Sequence, residues 1–449
     1  MPEQSNLLII MVDQMQAMLL DDDSPIALPS LARLRQSATR FTHAFTPAPI
    51  CTPARASFQL GVPVHRHGVI GNDRAMPADM PTLADRLNRA GYQTRYVGKW
   101  HLDRGNPRGW AHFTDAHELR SNDWGAQVML NADSPHEGVA PYGIDEHMDG
   151  RIAALAKEQW GAHAAGSQPG GSQPGGSQPG AAQPLAMMVS FFGPHAPYYL
   201  PRDWHDRFDA DALPLPDTFD APFEGKPEIQ RTFRCRAWGQ GWSEAKWRRI
   251  RAAYFGYVAM LDHLIGQLLD GVDLHRTAVF FVADHGESNG HLRMIYKGPM
   301  MYDTLVRIPA LLHLPGQSAA RDDDRLIDLT DFTATLLALA GAQHAGVEGH
   351  DLTDSRWPGR DGILSEFHEA NWVKPPCKQR VAMWRDRRWK YVYNEGDRAE
   401  LYDLTEAPHE VINRIDDPAL APIVTEMHAH LAQCLDWAPH NTESTRSNS

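Results

Sequence analysis

The stretch Cys51-Thr52-Pro53-Ala54-Arg55 sets a nucleophile one helical turn from a cation. An isolated cysteine is ordinarily a small buried hydrophobe. Pro53 suits the first turn of a helix. That places position 51 at a helix N-terminus facing a guanidinium, where an anion is favoured. Two chemistries fit: a thiolate of lowered pKa, or a nucleophile acting on an anionic substrate. Asp13-Gln14 and Asp284-His285 add two carboxylates, an amide and an imidazole. Taken singly, an aspartate at a strand end is a helix cap; both pairs beside Cys51 and Arg55 point to a divalent-cation site. The oxygens favour calcium or magnesium, and the imidazole admits manganese or zinc. Lys99, His101, His195 and Lys297 supply cations and proton donors in a chain where lysine is scarce beside arginine. His195 lies between Pro194 and Pro197, in a stiff loop suited to a general acid. His65, His67 and His291 lie near these motifs and read as supporting or surface residues.

The elements that must position these residues share one pattern. The runs 7–12, 278–283 and 185–192 are continuously apolar, and 94–97 more weakly so. Such runs suit parallel strands buried on both faces. They end at Asp13-Gln14, at Asp284-His285, at Gly193-Pro194-His195 and at Gly98-Lys99-Trp100-His101. In open parallel α/β sheets the active site lies beyond the carboxyl ends of the strands. Helices are expected at 29–37, 80–90, about 145–160, 243–270 and 331–339, with Ser243 as an N-cap and Gly271 as a stop. The alternation predicts an α/β fold with helices on both faces. From about residue 363 the pattern changes to short alternating strands, 381–384 and 389–393, around a basic turn, then a helix at 418–436. The expected organisation is a catalytic domain over 1–362, a small α+β subdomain with an antiparallel sheet over 363–437, and a frayed tail over 438–449. GSQPG, repeated three times at 166–180, reads as a solvated loop within the first domain.

The 449 residues are 42% hydrophobic and 22% charged, enough for a large globular core. A net charge of -13 argues against nucleic acid or an anionic membrane as partner. No apolar run approaches the roughly 20 residues of a membrane span. Nothing at the N-terminus resembles a secretory leader, so the cytoplasm is the expected compartment. Cys51, Cys235, Cys377 and Cys434 are too few and scattered for a disulfide scaffold or zinc finger.

With these residues in view, the chain resembles the type I sulfatases of the alkaline-phosphatase superfamily. Cys51-x-Pro53-x-Arg55 matches the C-x-P-x-R signature, with Leu60 before Gly61 where threonine is usual. Gly98-Lys99-Trp100-His101-Leu102, after Ala90-Gly91-Tyr92, matches the second signature. Asp284-His285-Gly286-Glu287, Lys297-Gly298-Pro299 and Arg307-Ile308-Pro309 match the metal-and-lysine region. Tyr257-x-x-x-Leu261-Asp262 matches the long helix, and Leu401-Tyr402-Asp403-Leu404 with Glu410 and Asn413 the C-terminal part. The ordered set runs from about residue 6 to 437.

The resemblance implies an alkaline-phosphatase-like sandwich: a large, mostly parallel sheet flanked by helices, with a small C-terminal subdomain. It implies that a formylglycine-generating enzyme transiently oxidises Cys51. The aldehyde hydrate would attack sulfur and displace the alcohol, and its second hydroxyl would then expel sulfate. Asp13, Gln14, Asp284 and His285 would carry one divalent metal, calcium first. Arg55 would hold the hydrate and the carboxylates, while Lys99 and Lys297 would neutralise the sulfuryl group. His101 would take the proton that drives elimination, His195 would protonate the leaving oxygen, and Asn72 would bind a substrate oxygen. The substrate would be a small-molecule or saccharide sulfate ester. Gln14 with His285 resembles bacterial branches, choline-sulfatase-like and phosphonate-monoester-hydrolase-like. The second reading is therefore a phosphonate monoester or phosphodiester hydrolase, a branch that typically has tyrosine and threonine where Lys99 and His101 stand. A catalytically dead relative is disfavoured by the complete residue set. Trp110, Trp124 and Trp372 are candidates to line a ring pocket, with core packing the plainer role.

Overall fold

A computed structural model describes residues 4–436 apart from 73, 104–106, 117, 120–135, 167–182 and 371–376. Trp124, Trp372, the tail from 437 and nearly all of the GSQPG repeat lie outside the described residues.

The first part of the chain contributes strands β1 (Asn6–Val12), β2 (Thr39–Phe41), β3 (Ala44–Phe45), β4 (Gln93–Gly98), β5 (His112–Asp115), β6 (Glu137–Val139), β7 (Leu185–Ser190), β8 (Tyr198–Leu200), β9 (Thr277–Ala283), β10 (Ala310–His313), β11 (Arg321–Asp323) and β12 (Ile327–Asp328). Eight form one sheet in the order β11-β2-β10-β9-β1-β7-β4-β5. β1 runs parallel to both β7 and β9, and β4 runs parallel to β7 and β5. β10 is antiparallel to β9 and β2. Every side chain from Leu7 to Val12 and from Ala278 to Ala283 is fully buried. Layers on both faces bury these strands, hence their uninterrupted apolar runs.

Three long-range contacts set where β7 ends, where a helix begins and how the loop after β1 is held. β7 stops at Ser190, two residues before its apolar run does. The amides of Phe192 and Gly193 instead donate to the buried Asp149 carboxylate, at 2.7 and 3.1 Å, which also accepts the Tyr257 hydroxyl at 2.7 Å. Asp149 lies on the helix Met148–Ala164, where a helix was expected at about 145–160. The 26-residue helix Glu244–Leu269 starts at Ser243, whose hydroxyl accepts from the Lys246 amide as an N-cap. Its Asp262 caps the helix Pro29–Arg35 through the amides of Ser30 and Leu31, at 3.0 and 2.8 Å. Its Tyr254 hydroxyl accepts from the Gln16 amide and donates to the Gln14 carbonyl, pinning the loop after β1.

The C-terminal part forms an antiparallel sheet, β13 (Ile363–Phe367), β14 (Val381–Arg385), β15 (Trp389–Asn394) and β16 (Glu400–Asp403), in that order. Helix Ala421–Cys434 packs Met427 and Leu431 against Ala382, Tyr391 and Leu401. A buried charged cluster joins the two parts. Lys390 donates to the Met301 carbonyl at 2.9 Å, to Asp303 at 2.5 Å and to Glu410. Lys226 donates to the Tyr402 hydroxyl at 2.7 Å and the Glu410 carbonyl at 2.6 Å, over the faces of Tyr302 and Tyr402. Among the described residues no helix is long and apolar enough to cross a membrane.

Candidate active site

Cys51 is the first residue of the helix Cys51–Leu60, all ten of whose residues are buried. A buried helix start must satisfy its free amides. Here Asn72 Oδ1 accepts from the Thr52 amide at 3.1 Å, and the Thr52 hydroxyl donates to the His101 carbonyl at 2.8 Å. Asn72 and His101 are therefore held one residue from Cys51. The helix ends at Gly61, whose φ of 72° is the left-handed cap that glycine adopts without strain.

Arg55 ties four strand ends together. Its Nε donates to Asp284 Oδ2 at 2.9 Å and its Nη2 to Asp13 Oδ2 at 3.0 Å. Its Nη1 donates to the Lys99 carbonyl at 2.9 Å and to Ser190 Oγ at 2.8 Å. Those partners follow or close β9, β1, β4 and β7. A planar, permanently charged fork suits this better than a lysine would. Burial opposes the guanidinium charge, but Asp284 and Asp13 outweigh it and raise the pKa. Arg55 thus grips both carboxylates beside the unmodified Cys51.

The remaining polar side chains converge on Cys51. Lys297 Nζ and His285 Nε2 each lie 3.2 Å from its Sγ, Asp13 Oδ1 lies at 3.7 Å and Lys99 Nζ at 4.0 Å. Lys99 also pairs with Asp13 Oδ2 at 2.6 Å. Burial and Asp13 push the Cys51 thiol up, but Lys297, Lys99 and His285 pull it well below its usual value. Burial likewise raises Asp13, and Lys99, Lys297, His195 and Arg55 overturn that, holding it well below the usual carboxylate range. Asp284 moves the other way, because burial and the neighbouring Asp13 carboxylate both raise it. His195 donates from Nδ1 to the Ala196 carbonyl at 2.6 Å and packs against Phe192. Burial, then Lys297 and Lys99, bring it down to about 4, so its ring is neutral near pH 7.

The donor set fits a divalent cation. One ligand atom from each of Asp13, Cys51, Asp284 and His285 lies within 4.8 Å of the others. His285 Nδ1 donates to the Gly286 carbonyl at 2.9 Å, which fixes the tautomer and leaves the Nε2 lone pair facing the cluster. The Gln14 side-chain oxygen accepts from Lys297, and its nitrogen donates to Glu287.

Other expected candidates fall outside this cluster. Trp110 is buried edge-on to Tyr96 and donates to Gln59, a core role. His67 is buried, bonded to Ser57 and the Val69 amide. His65 pairs with Glu366, and His291 is buried beside Thr218 and Tyr302. Conversely, Ser190, Asp149, Tyr254 and Glu287 support the site without having been singled out for it. Glu287 stands inside a motif, but nothing in the sequence links it to Gln14.

The chain is similar to known proteins along nearly its whole length. The sulfatase family profile matches residues 5–342, and the profile for the C-terminal part of N-sulphoglucosamine sulphohydrolase matches 292–436. The choline-sulfatase of Rhizobium meliloti is 28% identical over 444 residues, covering 92% of this chain and 83% of that protein. A solved 2-O GAG sulfatase superposes with a TM-score of 0.76 at 22% identity, over 100% of this chain and 95% of that one. The phosphonate monoester hydrolase of Silicibacter pomeroyi superposes with 0.77 at 21% identity, over 99% and 97%. At these identities the two structures speak to the fold.

Proposed function

The chain belongs to the sulfatase family and hydrolyses sulfate esters, and we propose that it does so on a formylglycine made from Cys51, with calcium held by Asp13, Gln14, Asp284 and His285. The observation that carries this reading is the convergence of Lys297 Nζ and His285 Nε2 on Cys51 Sγ, each at 3.2 Å, in a fully buried site. The substrate is a small-molecule or saccharide sulfate ester.

Each residue's part follows from its contacts. When bound, a divalent cation polarises the sulfate oxygens. Lys99 and Lys297 flank position 51 and neutralise charge on the sulfuryl oxygens as the transition state forms. Arg55 keeps Asp13 and Asp284 fixed, so that little reorganisation accompanies the chemistry. His195 is neutral in the free enzyme because burial and two ammoniums disfavour its proton. A sulfate group between those ammoniums screens them, and the ring can then hold the proton it passes to the leaving oxygen. His101, whose buried Nδ1 lacks a hydrogen-bond partner among the described residues, takes the proton from the second hydroxyl as sulfate departs. Asn72 orients the nucleophile helix through the Thr52 amide.

Mass spectrometry of the Cys51 peptide, after co-expression with a converting enzyme, tests the reading. Conversion loses one sulfur and two hydrogens and gains one oxygen. Converted protein should turn over an aryl sulfate faster than an aryl phosphonate monoester. Unmodified thiol alone, or faster phosphonate turnover, would sink the proposal.

A further inference from the structure

Gln14 is the one metal-site residue whose side chain has two unlike ends, so only one orientation offers an oxygen. Its backbone is fixed: φ is 70°, the amide donates to Asp284 Oδ1 at 3.1 Å, and the carbonyl accepts from Tyr254 at 3.1 Å. The side-chain orientation is then set by two neighbours of opposite charge. Glu287 Oε2 accepts from Gln14 Nε2, and Lys297 Nζ donates to Gln14 Oε1. Reversing the amide would set oxygen against carboxylate and NH2 against ammonium. Glu287 cannot yield either. It is fully buried, and its Oε1 accepts the backbone amides of Asn289, at 3.0 Å, and Tyr296, while Oε2 also takes the Tyr198 hydroxyl at 3.4 Å.

We propose that Glu287 is the positioning residue that turns the Gln14 oxygen toward the metal, keeping its own negative charge one residue outside the coordination shell. The inference rests on the divalent-metal reading of the site. It also explains the residue at position 14. A carboxylate there would face Glu287 directly, whereas an amide donates to it.

The arrangement makes an isosteric change harmful and a second change corrective. In Glu287→Gln, the side chain at position 287 has one oxygen. If that oxygen serves the two backbone amides, the new NH2 meets Gln14, and Gln14 must turn its own NH2 toward Lys297 and the metal. If it serves Gln14, the new NH2 meets two backbone donors. The metal-competent arrangement is strained either way. Adding Gln14→Glu restores the bonds between positions 14 and 287 and to the backbone amides, and only the long Tyr198 contact changes, its hydroxyl now facing a donor. The amide at position 287 then keeps its oxygen on the backbone amides and donates to one oxygen of the carboxylate at position 14. The other oxygen of that carboxylate faces Lys297 and the metal.

The test is calorimetric titration of the intact, metal-stripped enzyme with calcium chloride, alongside thermal midpoints to confirm folding. Glu287→Gln should lower calcium affinity about 10- to 100-fold, the usual cost of losing a partner that orients a ligand. The double variant, Gln14→Glu with Glu287→Gln, should recover at least the wild-type affinity, which a merely structural role for Glu287 would not produce. Affinity of Glu287→Gln within twofold of wild type, or no recovery in the double variant, overturns the inference while leaving the metal reading intact. A wild-type enzyme that binds no calcium removes both.

Discussion

Two buried clusters of charge can be set side by side: the one around Cys51 and the one joining the C-terminal sheet to the rest. Each holds two buried lysines and two or more carboxylates, all buried but Asp303, which is 25% exposed. They differ in where the bonds point. At the junction Lys390 places its three hydrogens on Met301, Asp303 and Glu410, and Lys226 lies on two tyrosine faces. Partners there close on one another, as a desolvated ion pair must to offset its burial. Around Cys51, Arg55 takes one oxygen of each aspartate, while Asp13 Oδ1, His285 Nε2 and Lys297 Nζ turn toward the same sulfur. Burial and charge are common to both clusters; convergence on a common point sets the one around Cys51 apart.

The sharpest way to break this contrast is to remove the point of convergence. Cys51→Ala should lower aryl sulfate turnover by at least about four orders of magnitude. Its thermal midpoint should stay near wild type, since the alanine leaves the helix and the Arg55 bonds in place. A stability loss as large as the activity loss would erase the distinction. Lys390→Met should do the reverse. It strands Asp303 and Glu410, at about 3–5 kcal/mol in denaturant unfolding, while kcat per folded molecule stays within a few-fold. Lys297→Met tests the other lysine on the same scale. Loss of one preorganised donor costs about 10²–10³ in kcat, and unfolding should show a smaller penalty than Lys390→Met.

Two buried histidines sharpen the comparison further, His67 apart from both clusters and His291 beside Tyr302 of the junction. His67 and His291 are pushed down, by burial first, to about 4 and about 3. Both fall below the unfolded value near 6.5, so the unfolded chain binds more protons on acidification. Their contribution to stability is complete above pH 6.5 and is lost as pH falls toward 4. Between pH 6.5 and 4.5 each should cost about 2–3 kcal/mol. His67→Gln, measured by urea unfolding across that range, should remove about half of the combined slope.

Much of the cluster around Cys51 was legible because rare residue types punctuate apolar strands. Asp13, Asp284, Lys99 and His195 each follow such a run, and the structure gathers them at one sheet edge. What escaped depends on partners distant in sequence. β7 was read two residues too long because Phe191 and Phe192 are apolar; the carboxylate that draws the Phe192 and Gly193 amides away is Asp149. Glu287 meets Gln14 across 273 positions. Lys226 and Lys390 carry no local mark of burial, since only tertiary packing encloses them. The antiparallel insertion of β10 beside β9 likewise depends on strand order, which periodicity does not encode.

The site of the GSQPG repeat has a practical meaning. The repeat ends at Gly180, five residues before β7 begins at Leu185. That is the amino end of a strand whose carboxyl end meets Arg55 through Ser190. Five residue steps at about 3.3 Å put roughly 16 Å of buried strand between the two. Doubling the length of a loop adds, as a rule, only about 0.6 kcal/mol of closure entropy. An affinity tag or an immobilisation linker inserted within the repeat would thus attach at the end of β7 opposite Ser190 and Arg55.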